Sequence, residues 1–107
     1  MAKKTIKKEI KKILSDYRKR VENAGIPVDH LVLFGSYAKG NARVDSDIDV
    51  CVVSKELGKD DMAELGKLNF LKWKLDNRIE AHPLSLSDYL SVANPFVSEV
   101  RKYGIEI

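Results

Sequence analysis

Hydrophobic positions recur along this chain with three different rhythms. Ile6, Ile10, Ile13, Leu14, Tyr17 and Val21 follow helical spacing, which predicts an amphipathic helix from about Thr5 to Ala24, closed by Gly25 and followed by Pro27. His30-Leu-Val-Leu-Phe34 is a short apolar run that stops at Gly35-Ser36 and reads as a buried strand, with a short helix expected to begin at Ser36. Asp47-Ile-Asp-Val-Cys-Val-Val53 alternates. Ile48, Val50 and Val52 point to one face and Asp47, Asp49 and Cys51 to the other, so this strand has a core side and a carboxylate side. A second helix is expected from Asp60 to Leu75, with Met62, Leu65, Leu68, Leu71 and Leu75 on one side. Arg78 to Leu84 reads as a third strand, Ile79 and Ala81 on one face and Glu80 and His82 on the other. Pro83 implies that it frays or lies at an edge. Ser87 is placed to cap a short helix through about Val92, and Asn94-Pro95 to open a last helix ending at Tyr103-Gly104. The fold class is α+β: a small mixed sheet with helices packed on one side.

The length, 107 residues, is that of one domain, and no repeat or linker suggests an internal boundary. No run approaches the apolar length of a membrane span. Charges interrupt every apolar stretch near the N-terminus, against a secretory signal, so a cytoplasmic location is expected. The single Cys51 cannot form an internal disulfide, and no Cys/His cluster has zinc-ligand spacing. The net charge of +3 is unevenly spread, with +6 in residues 1–24 and −3 in the remainder. Aromatic interleaving and nucleic-acid motifs are both missing, so the basic helix reads as a solvated face, not as a nucleic-acid site.

Chemistry concentrates between Gly35 and Asp49. Gly35 lets backbone approach a ligand closely, and a helix start leaves N–H groups that suit a phosphate, to which Ser36 adds a hydroxyl donor. Asp47 and Asp49 fall on the same strand face, about 6.6 Å apart along it. Their mutual repulsion would be relieved by a hard divalent cation such as Mg²⁺. A phosphate cradle beside a carboxylate pair suits phosphoryl or nucleotidyl transfer. Lys39 and Arg43 flank the loop within reach of a triphosphate. His82 shares the face of Glu80 and is expected to be structural, Cys51 to be a bystander, and Phe70 and Trp73 to serve helix packing or a partner surface.

Gly35-Ser36, ten residues and then Asp47-x-Asp49 resembles the signature of the nucleotidyltransferase superfamily that includes DNA polymerase β and kanamycin nucleotidyltransferase. The short length resembles the minimal nucleotidyltransferases of prokaryotes, and the likeness spans almost the whole chain. It implies a nucleotidyltransferase fold that uses Mg²⁺ and a nucleoside triphosphate, ATP by the family's habit. Asp47 and Asp49 would hold metal, while Gly35 and Ser36 would hold the β- and γ-phosphates. The family's third carboxylate would be Glu80, helping to ligate the metal near the attacking hydroxyl and to deprotonate that hydroxyl; it is a departure, since Asp is commoner there. The chain has no room for the acceptor-holding domain of larger relatives. The resemblance therefore implies an antitoxin that adds AMP to a tyrosine of a HEPN-domain ribonuclease toxin. The alternative is a non-catalytic module that neutralises such a partner by covering it.

Overall fold

The computed structural model describes residues 7–107. The elements are α1 (Lys8–Asn23), β1 (His30–Phe34), α2 (Ser36–Lys39), β2 (Ile48–Ser54), α3 (Asp61–Phe70), β3 (Ile79–Ser85), α4 (Leu86–Leu90), α5 (Pro95–Tyr103) and β4 (Ile105–Glu106). The expected start of the first helix at Thr5 lies outside the described residues. The sheet has the order β3-β2-β1-β4, and it is mixed: β1 pairs antiparallel with β2 and β4, while β2 and β3 run parallel.

The helical stripe of α1 does what its spacing predicts. Ile10, Leu14, Tyr17 and Val21 bury against Leu31, Leu33, Ile48, Val50, Val52, Ile79 and Ala81, the core side of three strands, and Leu68 of α3 joins them. The Tyr17 hydroxyl donates to the Leu68 carbonyl at 2.7 Å, so the one polar atom this stripe carries into the core is satisfied. On the opposite face, Val32, Cys51 and Val53 meet Val100 of α5, with Leu86 and Tyr89 of α4 alongside. The helices thus cover one face fully and the other at one end, and the strand positions nearest α2 keep solvent access: Asp47 and Glu80 are exposed.

Two boundaries move. The second helix stops at Phe70, not Leu75. Beyond it the guanidinium of Arg20 donates to the carbonyls of Leu71 and Trp73, at 3.2 and 2.6 Å, and Lys74 takes a φ of +62°. These contacts satisfy carbonyls that a continuing helix would have used, and a left-handed residue ends it. The short helix after β3 is capped by Ser85, whose hydroxyl accepts from the Asp88 N–H, and not by Ser87. Pro83 does sit on an edge strand, where its missing N–H removes no internal ladder bond.

Candidate active site

Strand register assembles the site. Phe34 lies opposite Asp49 across β1 and β2, and Asp49 lies beside Glu80 across β2 and β3. Residues paired in register share a face, so Phe34, Asp49 and Glu80 form one row across the sheet. Val32, Cys51 and His82 form the next row, one step further from α2. Asp47 immediately precedes β2, which begins at Ile48, one residue later than the alternation suggests.

Glu80 is held by its neighbours on an edge strand. Asn69 of α3 presents its side-chain amide to Ala81 as another strand would, accepting from its N–H at 3.0 Å and donating to its carbonyl at 3.1 Å. The Lys72 ammonium donates to the Ile79 carbonyl at 2.7 Å. The backbone is therefore pinned on both sides of Glu80 while the carboxylate faces the open side. The loop carrying Asp47 is tied down by Arg78. Its guanidinium grips the Asp76 carboxylate with two bonds, at 2.8 and 3.0 Å, and donates to the Tyr37 hydroxyl and the Val44 carbonyl. Tyr37 in turn donates to the Arg43 carbonyl at 3.2 Å. α2, the loop and the start of β3 form one hydrogen-bonded unit.

Gly35 occupies φ +75°, ψ −153°, a region open essentially to glycine alone. A Cβ built there would fall 2.5 Å from Asp49 Oδ2 and 3.3 Å from Asp49 Cβ. The tight turn into α2 and the Asp49 carboxylate are thus packed against each other, and only a hydrogen fits between them.

Asp49 titrates above the ordinary carboxylate range. Burial is the main cause; the nearby imidazole of His82 works against it, and the charges of Asp47 and Glu80 push the same way as burial. His82 Nε2 lies 3.7 Å from Asp49 Oδ1, too long for a hydrogen bond. That nitrogen is buried and, among the described residues, has no hydrogen-bond partner. The His82 ring is wedged among aromatics: Phe34 at 5.1 Å and Phe96 of α5 at 6.3 Å, with Phe34 and Phe96 meeting edge to face at 5.5 Å.

The predicted site residues are not all gathered in one place. Gly35, Ser36, Asp47, Asp49 and Glu80 share one edge of the open face. The Lys39 ammonium is turned toward α5, 3.5 Å from Glu99 Oε1 and 6.0 Å from the centre of the Tyr103 ring. Arg43 is exposed and lines a separate cavity of about 240 Å³ with Lys7, Glu9, Tyr37 and Arg78. Phe34 and Phe96 border the site without having been marked by the sequence. Apolar residues at a strand end and in a first helical turn look like core, and only the 43% exposure of Phe96 sets it apart. Cys51 is fully buried, and burial pushes its thiol up to about 12, in keeping with a bystander.

Among the described residues no three Asp, Glu, His or Cys side chains close into a cage for a metal ion. Mg²⁺ does not ask for one: it is held by one or two carboxylates together with substrate phosphates and water. The hard oxygen donors of Asp47 and Asp49 fit that demand, and a cation there would relieve the like-charge pressure that Asp47 and Glu80 put on Asp49.

Known proteins resemble this chain in sequence and in fold. A model of the nucleotidyltransferase domain matches residues 7–103. A Methanocaldococcus jannaschii protein named "Putative protein adenylyltransferase MJ0141" is 30% identical over 106 residues, 97% of this chain and 93% of its own. A crystal structure of a toxin-antitoxin with AMP-PNP superposes with a TM-score of 0.62 at 25% identity, covering 91% of this chain and 70% of that one. A mutant of the toxin-antitoxin MntA-HpeT gives 0.57 at 22% identity over the same shares, a likeness of fold.

Proposed function

The chain belongs to the nucleotidyltransferase domain family, and from that premise we propose that it transfers AMP from ATP to a tyrosine hydroxyl of a partner HEPN ribonuclease toxin, acting as its antitoxin. The observation that carries the reading is the register of Asp49 beside Glu80, with Gly35 packed against Asp49. It is supported by the adenylyltransferase name of the M. jannaschii relative and by the AMP-PNP and toxin in the structural neighbour.

The roles follow from position. The backbone N–H groups at the start of α2 and the Ser36 hydroxyl receive the β- and γ-phosphates. Asp47 and Asp49 hold Mg²⁺, which when bound supplies positive charge to the phosphates. Glu80, on the outer strand, takes the proton of the acceptor hydroxyl. The acceptor oxygen bonds to the α-phosphorus, the bond from that phosphorus to its bridging oxygen breaks, and pyrophosphate leaves. Asp47 and Glu80 are exposed on the open face, and the acceptor's own protein docks there.

The test is pyrophosphate release and label transfer from α-labelled ATP, with Mg²⁺ and the partner toxin. Wild type transfers label. Asp49→Asn abolishes transfer, and Glu80→Gln lowers it by roughly 10²-fold, the scale of losing a general base, while ATP binding persists. Neutralisation of the toxin without label transfer would replace this reading with simple occlusion.

A further inference from the structure

His82 has no part in the reading above, yet one of its ring nitrogens is out of place in a folded protein. Nε2 is buried and, among the described residues, has no hydrogen-bond partner. Native structures keep few such atoms, because an unpaired buried polar group costs stability. This one faces Asp49 Oδ1 at 3.7 Å, about 0.7 Å beyond the usual N–H···O length. The ring is held in that direction by its surroundings. In the parallel register of β2 and β3, His82 lies beside Cys51, on the same face as Asp49 and one row away. Phe34 packs against the imidazole edge to face at 5.1 Å, and Phe96 lies 6.3 Å from it.

Asp49 needs such a holder more than the carboxylates around it. Asp47 and Glu80 are exposed, whereas Asp49 is half-buried and has less water to orient it. Its Oδ2 is packed against Gly35, where a Cβ would fall 2.5 Å away, and Oδ1 is the oxygen on the His82 side. Burial disfavours the ionised form of Asp49, and the charges of Asp47 and Glu80 add to that effect, while His82 works the other way. Only the ionised form holds a cation well, so a donated N–H at Oδ1 favours the form the site requires.

We propose that His82 is the positioning residue of the metal-holding carboxylate: its Nε2–H donates to Asp49 Oδ1 when Asp49 holds the divalent cation, which fixes the carboxylate and leaves its remaining lone pairs for the ion. The proposal rests on the reading of Asp49 as a Mg²⁺ ligand and deepens it. Carboxylates that ligate metals are themselves steadied by outer hydrogen bonds, and losing such a partner typically costs about 10–100-fold in metal affinity. The role needs a hydrogen on Nε2 and not a charge on the ring, so it does not depend on the protonation state of the imidazole.

The experiment measures Mn²⁺ binding to the full chain from the electron paramagnetic resonance signal of the free ion, with α,β-methylene ATP present so that no transfer occurs. Wild type, His82→Phe and His82→Gln are compared. Phenylalanine keeps the ring packing and removes the donor; glutamine removes the ring and keeps an N–H at similar reach. The expected result is a Mn²⁺ Kd weakened roughly 10–100-fold in His82→Phe and largely restored in His82→Gln. The Kd of the nucleotide without metal should be unchanged in both. A second measurement leaves His82 intact. In the His30→Gln chain His82 is the one remaining histidine, and its ring ¹⁵N shifts with Mg²⁺ and the same analogue should place a hydrogen on Nε2. Unchanged Mn²⁺ affinity in His82→Phe would overturn the proposal, and so would equal losses in both variants, which would make ring packing the cause. A ring with its hydrogen on Nδ1 alone cannot donate to Asp49 and would overturn it too, and this spectrum decides the matter if His82→Phe fails to fold. Wild type that binds no Mn²⁺ beside the nucleotide would overturn the underlying reading of Asp49, a result distinct from these.

Discussion

Replacing Gly35 with alanine perturbs fold and site together. The backbone at φ +75°, ψ −153° strains any residue with a Cβ, at a cost of about 1–3 kcal/mol. The added methyl would also sit 2.5 Å from Asp49 Oδ2 and 3.3 Å from Asp49 Cβ. The carboxylate is able to swing aside, but Asp49 Cβ belongs to β2, which is paired on both sides, so the turn or the strand must shift as well. Overpacking of this kind adds about 1–3 kcal/mol. A total of about 2–6 kcal/mol is a large share of an ordinary domain's stability and lowers its Tm by roughly 10–40 °C. Gly25→Ala is the control. It too has a left-handed φ, +94°, yet nothing lies within 4 Å of its added Cβ, so it should lose only about 1–2 kcal/mol of backbone strain. Urea titration of both variants gives the stabilities, and AMP transfer from ATP gives the function. Gly35→Ala should lose more stability than Gly25→Ala, and it alone should lose transfer. Equal destabilisation of the two, with transfer intact in both, would refute the close packing of the turn on Asp49.

Three other expectations follow from the same geometry. The raised titration of Asp49 means that the folded protein binds this proton more readily than the unfolded chain. Its ionisation therefore destabilises the fold as pH rises from the usual carboxylate value through the raised one. Asp49→Asn should be more stable than wild type at neutral pH, with the gain vanishing in acid, while transfer is lost; urea midpoints across pH 3–8 check this. Asp76 behaves oppositely: the hydrogen-bonded Arg78 guanidinium lowers its titration, so its stabilisation is present at neutral pH and lost as pH falls through that lowered value. Asp76→Ala should cost about 1–3 kcal/mol at neutral pH and progressively less in acid, read by the same titrations. Tyr17→Phe removes the bond to the Leu68 carbonyl within the core and should cost about 1–2 kcal/mol in urea unfolding with transfer unaffected.

What could be read from residues alone was whatever is local. Periodicity located α1, β1 and the turn into α2. Alternation placed Asp49 and Glu80 on the open faces of their strands, because that face depends only on each strand's own period of two. The neighbour relation of the two carboxylates depends on the parallel register of β2 and β3, set across some thirty residues by Asn69, Lys72 and the shared core, and no local pattern encodes it. The overlong second helix has the same origin. Leu71 and Leu75 continue a helical period, but Arg20, fifty residues away, takes up the carbonyls where the chain turns. β4 spans two residues, too few to alternate, and exists because Ile105 and Glu106 pair with Leu33 and Val32. Nothing in the sequence marks Phe96, because exposure is a tertiary property.

The central claim, that the row of Asp49 and Glu80 beside Gly35 transfers AMP to a protein hydroxyl, is tested most directly by the intact mass of the partner toxin. The toxin is incubated with this protein, Mg²⁺ and ATP, alongside the Asp49→Asn variant. The account predicts a gain of one or more AMP units on a toxin tyrosine with wild type and none with Asp49→Asn. A toxin whose mass stays unchanged while its ribonuclease activity still falls would contradict it.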